Sequence, residues 1–423
     1  MNLTAAAERQ FNDSLKAAQN AAEKSFREKA WAAYQAKGLP DRKNEAWKYT
    51  GLNSLLKVPW VISNPGTALS AQAIDLVRQY KGEFDIAVLI NGKWSPKDSS
   101  LTLESGYEFR KRSLEFMPVF EDGFAAMTAA LNSGGYELFV NPDLRFAKPL
   151  LIVQVQQGTG FWTPTLNHIS LGANSRIEVA EIFLGDNGTY LRTDTTMVSL
   201  AESSELVWLR SQSENEQANH YGEVQARLEA RSKLALTQLN SGAIWSRAML
   251  TVDLLGEGAD ATVNGISFGH GQQHLDQRIQ IRHQVGNTSS AQLFKGILGD
   301  RARGVLNGKI YIAPGAQKVA SSQLNHNLLL SPNAEADTKP ELEIYADDVK
   351  ANHGASVGRM DDDELFYLES RGIEPKLARQ MLAQAFVADV LMKIPSEKLR
   401  ALSRARVEDL LKEFVAKQVE QAT

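Results

Sequence analysis

The sequence predicts a mainly β protein, a right-handed parallel β-helix core flanked by N-terminal and C-terminal α-helical domains. Three observations lead there. A turn-and-strand pattern returns at near-constant spacing through the middle of the chain, its strands have no helix between them, and both ends carry helical periodicity. At 423 residues the chain is too long for one ordinary core. The expected units are a helical and mixed domain over 1–138, the β-helix over 139–358 and a helical domain over 359–423.

Taken in order, Phe11, Leu15, Ala18, Ala22, Phe26, Ala30 and Tyr34 recur every three or four residues, which places them on one helical face. "GLP", ending at Pro40, stops that helix. Residues 51–140 are mixed, with a strand in "FDIAVLING" (84–92) and a helix in "GFAAMTAALNSG" (123–134). From about 148, short runs rich in Val, Ile and Leu alternate with Gly, Asn, Ser and Asp. "LGANSRIEV" at 171 matches "LAESSELVW" at 200, "LEARSKLAL" at 228 and "LGEGADATV" at 255. "VGNTSSAQL" at 285 and "IAPGAQKVA" at 312 follow more loosely. The starts are 29, 28, 27, 30 and 27 residues apart. Such a period marks a solenoid whose repeats bury their apolar faces against each other, whereas the loops of a β-sandwich vary in length.

The tail returns to helix. Acids open "DDDELFYLESRG" (361–372) and Gly372 closes it, both matched to the helix dipole and terminus. Pro375 then opens "PKLARQMLAQAFVADVLMKI", and "RVEDLLKEFVAKQVEQ" (406–421) follows. This helical domain is expected to cap an open solenoid end.

The formal charge of −4, with no dense basic stripe, argues against a nucleic-acid partner. No run approaches the roughly 18–20 apolar residues of a membrane span. The first twenty residues are amphipathic and carry acids, unlike a secretory leader, so the expected location is the cytoplasm. With no cysteine, the chain has no disulfide, no thiol nucleophile and no cluster held by its own thiolates. Neither a phosphate-binding G-x-x-x-x-G-K-[ST] loop nor a G-x-S-x-G elbow occurs.

Seven histidines remain, at 168, 220, 270, 274, 283, 326 and 353. "HGQQH" (270–274) has the i, i+4 spacing of a helical zinc pair, but Gly271 and the strand-rich surroundings make it a polar turn. Asp347 and Asp348 follow a strand and point to opposite faces, and 361–364 is a helix start. Asn325 and Asn327 are expected to form amide ladders between coils. From the residues alone, "VKANHGASVG" (349–358) is a histidine beside a special glycine turn.

Several stretches together resemble one family. They are "PDRKNEAWKYT" (40–50), "LFKGIL" (293–298), "VLNGKIYIAPGAQK" (305–318), "NHNLLLS" (325–331), "AEADTKPELEIYADDVKANHGASVG" (334–358) and "LFYLESRGI" (365–373). They resemble the SufB/SufD family of iron–sulfur cluster assembly scaffolds over about residues 40–390. They resemble its SufD branch in particular, because "HGAS" stands where the SufB branch usually has "HEAT". The resemblance implies a non-catalytic subunit of the SUF complex, paired with SufB through the β-helix ends. It also implies that the SufC ATPase binds the C-terminal helical domain, with Leu377, Met381, Leu382, Ala385 and Phe386 as contact candidates. It makes His353 the candidate ligand of a transient iron–sulfur cluster forming at the SufB–SufD junction.

Many relatives have a cysteine where this chain has Ala351, so no thiol ligand comes from this subunit. One imidazole is at most one ligand of four, and the thiolates belong to the partner. Cluster type, reduced-flavin binding by the complex and homodimer formation by the isolated chain stay open. The competing class is a β-helix carbohydrate-active enzyme, which needs acidic residues clustered on successive coils.

Overall fold

A computed structural model describes residues 3–63, 66, 68–102, 106–113 and 117–420. Two long sheets face each other, and from Tyr136–Val140 onward the chain passes from one to the other at every strand. Sheet I runs from Tyr107–Lys111 and Tyr136–Val140 through Phe161–Leu171 and every second strand after it, to Glu335–Ile344. Sheet II runs from Asp85–Ile90 through Leu150–Gln156 and Arg176–Gly185 to Val349–Arg359. All repeat strands pair in parallel, so the predicted parallel β-helix is the observed core. In sheet II the partners Ile177, Leu206, Leu234, Ala261, Ser290, Ser321 and Ala351 lie 27 to 31 residues apart.

The repeat is loose in sequence because one backbone position, rather than one residue type, is what recurs. Asn174, Ser203, Arg231, Gly258, Asn287 and Lys318 all have positive φ at equivalent turns. Asparagine and glycine adopt that conformation readily, and the others are held there by the stack. Each turn's amide donates to a carbonyl one coil on: Asn174 to Glu202, Ser203 to Ala230, Arg231 to Glu257, Asn287 to Gln317.

Period-two alternation then decides what each side chain meets. Val179, Trp208, Leu236 and Val263 of sheet II meet Val198, Val224 and Leu250 of sheet I in the interior. The outward set of sheet I (Trp162, Leu166, Leu191, Tyr221) is covered by helices α1 (Leu3–Lys16), α2 (Ala21–Lys37) and, later in the chain, Gly123–Ala130. Helix α3 (Asn53–Leu56) joins the cover of sheet I through Leu55, and the outward set of sheet II (Ile182, Leu209, Leu239, Ile266) is covered by α4 (Ala71–Tyr80) and the C-terminal helices.

Four expectations are corrected. The first helix is two, because the chain breaks at 17–20 and Asn20 caps α2 through the amide of Glu23. The solenoid begins before 139, since Asp85–Ile90 already pairs in parallel with Leu150–Gln156. Asp347 and Asp348 lie in the turn 345–348, where strand alternation does not apply. The C-terminal helices do not cap the solenoid's end: α6 (Asp362–Ser370), α7 (Pro375–Met392) and α8 (Glu397–Glu420) turn back along the flank of sheet II, α5 being Gly123–Ala130. Ile266, Phe268 and Ile297 form an apolar row there that needs cover, and Val387, Val390, Leu391 and Phe414 supply it. Residue 421, the last of the predicted tail piece, lies outside the described residues. Among the described residues no helix is long and apolar enough to cross a membrane.

Candidate functional site at the open end

Because the helices leave the end uncovered, both sheets finish on a strand that is paired on one side only among the described residues. The two rims differ. Glu335–Ile344 carries Pro340 and a row of charges, with Asp337 paired to Arg303 at 2.7 Å and Glu343 to Lys309 at 2.6 Å. Proline and charge are the usual means of blunting an edge. Val349–Arg359, "VKANHGASVGR", has no proline and no acid, and most of it is exposed. Its backbone groups are free to take another strand.

His353 sits at the middle of that edge. In register it continues the column Leu236, Val263, Gln292, Gln323. Leu236 and Val263 are interior residues, so His353 projects from the interior side of its strand and is exposed only because no further coil follows. Ala351 continues the column of Ser290 and Ser321, whose hydroxyls lie 2.7 Å apart. Among the described residues no three His, Cys, Asp or Glu side chains are grouped to hold a metal. A single accessible imidazole with no thiol nearby fits one quarter of a shared cluster and does not fit a cluster held by this chain alone.

The other histidines are accounted for by the fold. His270 and His274 flank a turn, and His274 lies 2.8 Å from the Thr50 hydroxyl. His326 faces outward, 2.7 Å from Ser356 Oγ. His168 and His283 are buried, and burial lowers each to about 4. The asparagine ladder is absent: Asn325 stacks between Phe294 and Ala355, Asn327 between Gly296 and Val357. Asn325 instead donates to Thr338 Oγ1 across the interior at 2.8 Å. The amides that do stack are Gln292 and Gln323, two residues earlier on the same strands.

Of the helix residues singled out from the sequence, Leu377, Met381 and Ala385 are exposed and Leu382 is half-buried. Phe386 turns toward the solenoid, where Lys295 lies over its ring and donates to its carbonyl at 2.7 Å. Sequence reasoning passed over Phe366 and Tyr367 on α6, which are 72% and 58% exposed. Two aromatics beside the one buried residue of that helix, Leu365, were the available signal.

It also passed over a charged network inside the solenoid. Arg210 donates to Glu181 at 3.0 Å and to Asp194 at 2.6 Å. His220 lies between Asp194, at 2.9 Å, and Glu214. Burial pulls the His220 imidazole down, but the flanking Glu214 and Asp194 outweigh it and hold the ring at about 9. Burial likewise pushes Asp194 up, and Arg210 and His220 overcome that to hold it well below the usual carboxylate range. The carboxylates of Glu181 and Asp194 are enclosed and paired with Arg210, unlike the accessible acids that a polysaccharide-cleaving site needs.

Two family models match the chain: "SUF system FeS cluster assembly, SufBD core domain" over residues 154–386 and "SufBD protein N-terminal region" over 8–106. The chain is 33% identical over 384 residues to the iron–sulfur cluster assembly protein SufD of Escherichia coli, covering 88% of this chain and 89% of that one. It is 27% identical over 393 residues to an iron–sulfur cluster assembly SufBD family protein of Synechocystis, covering 86% of each. It is 29% identical over 302 residues to SufD of Bacillus subtilis, covering 66% of this chain and 64% of that one.

Proposed function

The chain belongs to the SufBD family as a SufD-type iron–sulfur cluster assembly protein of the SUF system, and from that premise we propose that it is a scaffold subunit without turnover of its own. Its partner along the Val349–Arg359 edge is SufB, which supplies the thiolates that this cysteine-free chain lacks. His353 adds one imidazole ligand to a nascent cluster at that junction, the cluster being cargo passed on rather than a resident cofactor. The SufC ATPase docks on the exposed apolar face of α6 and α7, where Phe366, Tyr367, Leu377 and Met381 stand out to solvent.

The observation that carries this reading is the contrast between the two rims: one blunted by charge and proline, the other a plain strand with a histidine at its centre. The test is anaerobic reconstitution of the complex containing SufB, with wild type and His353→Ala compared after equal assembly has been verified. Iron and sulfide loading is expected to fall several-fold; equal loading removes His353 from the ligand set. Separately, Tyr367→Asp with Met381→Asp is expected to weaken ATPase capture by about tenfold or more. Unchanged capture would move the ATPase contact elsewhere.

A further inference from the structure

The interior just below His353 holds polar atoms with nothing to bind. Gln292 and Gln323 are each 2% exposed, on adjacent strands of the column that ends at His353. Both amide atoms of Gln292 and Oε1 of Gln323 are buried without a hydrogen-bond partner. Such groups are costly and call for an explanation. A second observation concerns the space they occupy. On the facing sheet, a Cβ at Gly308 would stand 2.0 Å from Nε2 of Gln323. Gly308 has an ordinary backbone angle, so what the glycine provides there is room for this amide. His353, one strand spacing of ~4.8 Å above, makes no hydrogen bond among the described residues.

Resting on the reading of His353 as a ligand, we propose that Gln323 is its positioning residue. Oε1 of Gln323 accepts the proton of whichever ring nitrogen turns into the solenoid, leaving the other nitrogen's lone pair facing the open end. Nε2 of Gln323 donates downward to Oε1 of Gln292, so the orphaned atoms join one ladder. A histidine that ligates a metal ordinarily donates its other N–H to an oxygen that fixes the tautomer and aims the ring. Here that oxygen is a neutral amide, so no charge is buried under the cluster site.

The test uses the full, metal-free chain with ¹⁵N-labelled histidine, at a pH where the ring is neutral. Long-range ¹H–¹⁵N spectra report which ring nitrogen carries the proton, and the His353 signal is the one lost in His353→Ala. The wild-type ring is expected to hold one tautomer in clear excess over the mixture of a free histidine side chain. Gln323→Leu should collapse that excess, and Gln323→Glu, which keeps an acceptor oxygen, should restore it. Gly308→Ala should shift the ratio with Gln323 still present. The His326 signal, held by Ser356 of the rim strand itself, should stay in place in every variant and so report a folded rim. A wild-type ratio equal to that of free histidine, or a ratio indifferent to Gln323→Leu, overturns the proposal. If the ratio responds to Gln323 while His353→Ala leaves cluster loading intact, the ligand reading fails and the positioning stands.

Discussion

His220 and His353 belong to the same solenoid and live under opposite rules. His220 is buried between Asp194 and Glu214, with both ring nitrogens engaged and Phe183 set edge-on against the ring. His353 is exposed, with orphaned amides beneath it. Around His220, the three carboxylates of Glu181, Asp194 and Glu214 face three cations, Arg192, Arg210 and the imidazolium. The charges of the network are balanced, although Oε1 of Glu214 and Nε and Nη1 of Arg192 have no hydrogen-bond partner among the described residues. The rim is incomplete in backbone and in side chain. The comparison teaches that the finished region of this molecule matches its charges between neighbouring coils, whereas the unfinished one, with no coil beyond it, leaves its edge and its histidine open.

Breaking the finished side should have the largest effect. Asp194→Ala leaves Arg210 and His220 buried without their shared counter-charge, and urea unfolding should report a loss of about 3–5 kcal/mol. A loss under about 1 kcal/mol would mean that the network does not hold the coils together. The next effect is on pH. His220 is held at about 9 when folded, against an ordinary value of 6.5. Its contribution is therefore complete below pH 6.5 and fades as pH rises toward 9, by on the order of 3 kcal/mol. Glu223, raised by burial to about 8, loses stability in the same direction between 4.5 and 8. The difference between wild type and His220→Gln isolates the histidine, and parallel stability curves for the two proteins would refute its role.

On the unfinished side the effects are smaller. Gln292→Leu removes the acceptor proposed for Nε2 of Gln323 and leaves that amide unpaired, so thermal unfolding should show a loss of about 1 kcal/mol. A gain of similar size would mean that Gln292 and Gln323 share no hydrogen bond. Smallest of all, His353→Ala should alter unfolding by less than about 0.5 kcal/mol, since the ring packs against little. A larger loss would make His353 structural and weaken the case for it as a ligand.

The period of the solenoid was legible because turn residues and apolar runs recur together, and the strands after Gly123–Ala130 follow from it. The buried network was not legible from composition or local pattern. Glu181, Arg210 and Gln238 occupy one position of three successive repeats, and only stacking the repeats in register brings opposite charges together. The flank position of α7 and α8 was missed for a related reason. Helical periodicity identifies an apolar face, but which surface it covers depends on the outward row of sheet II, formed by residues such as Ile266 and Ile297 on different coils. At the candidate site, His353 and the alanine two residues before it are plain in the sequence, but that their strand ends the sheet is not. Nor is the role of Gly308, since it lies 45 residues from His353 in sequence and acts through space alone.

The coils also measure distance. Helix α7 rests on the strands Asp260–Gly269 and Ser289–Leu298, and His353 lies two strands beyond the second of these, ~10 Å along the stack. The α7 face and the open edge at His353 are thus spaced by a whole number of coils. A chain with one coil more or fewer between them would fold with the same local contacts, yet present the two surfaces ~4.8 Å out of step. Coil number is a gauge built into the backbone, and it can change only by a whole step.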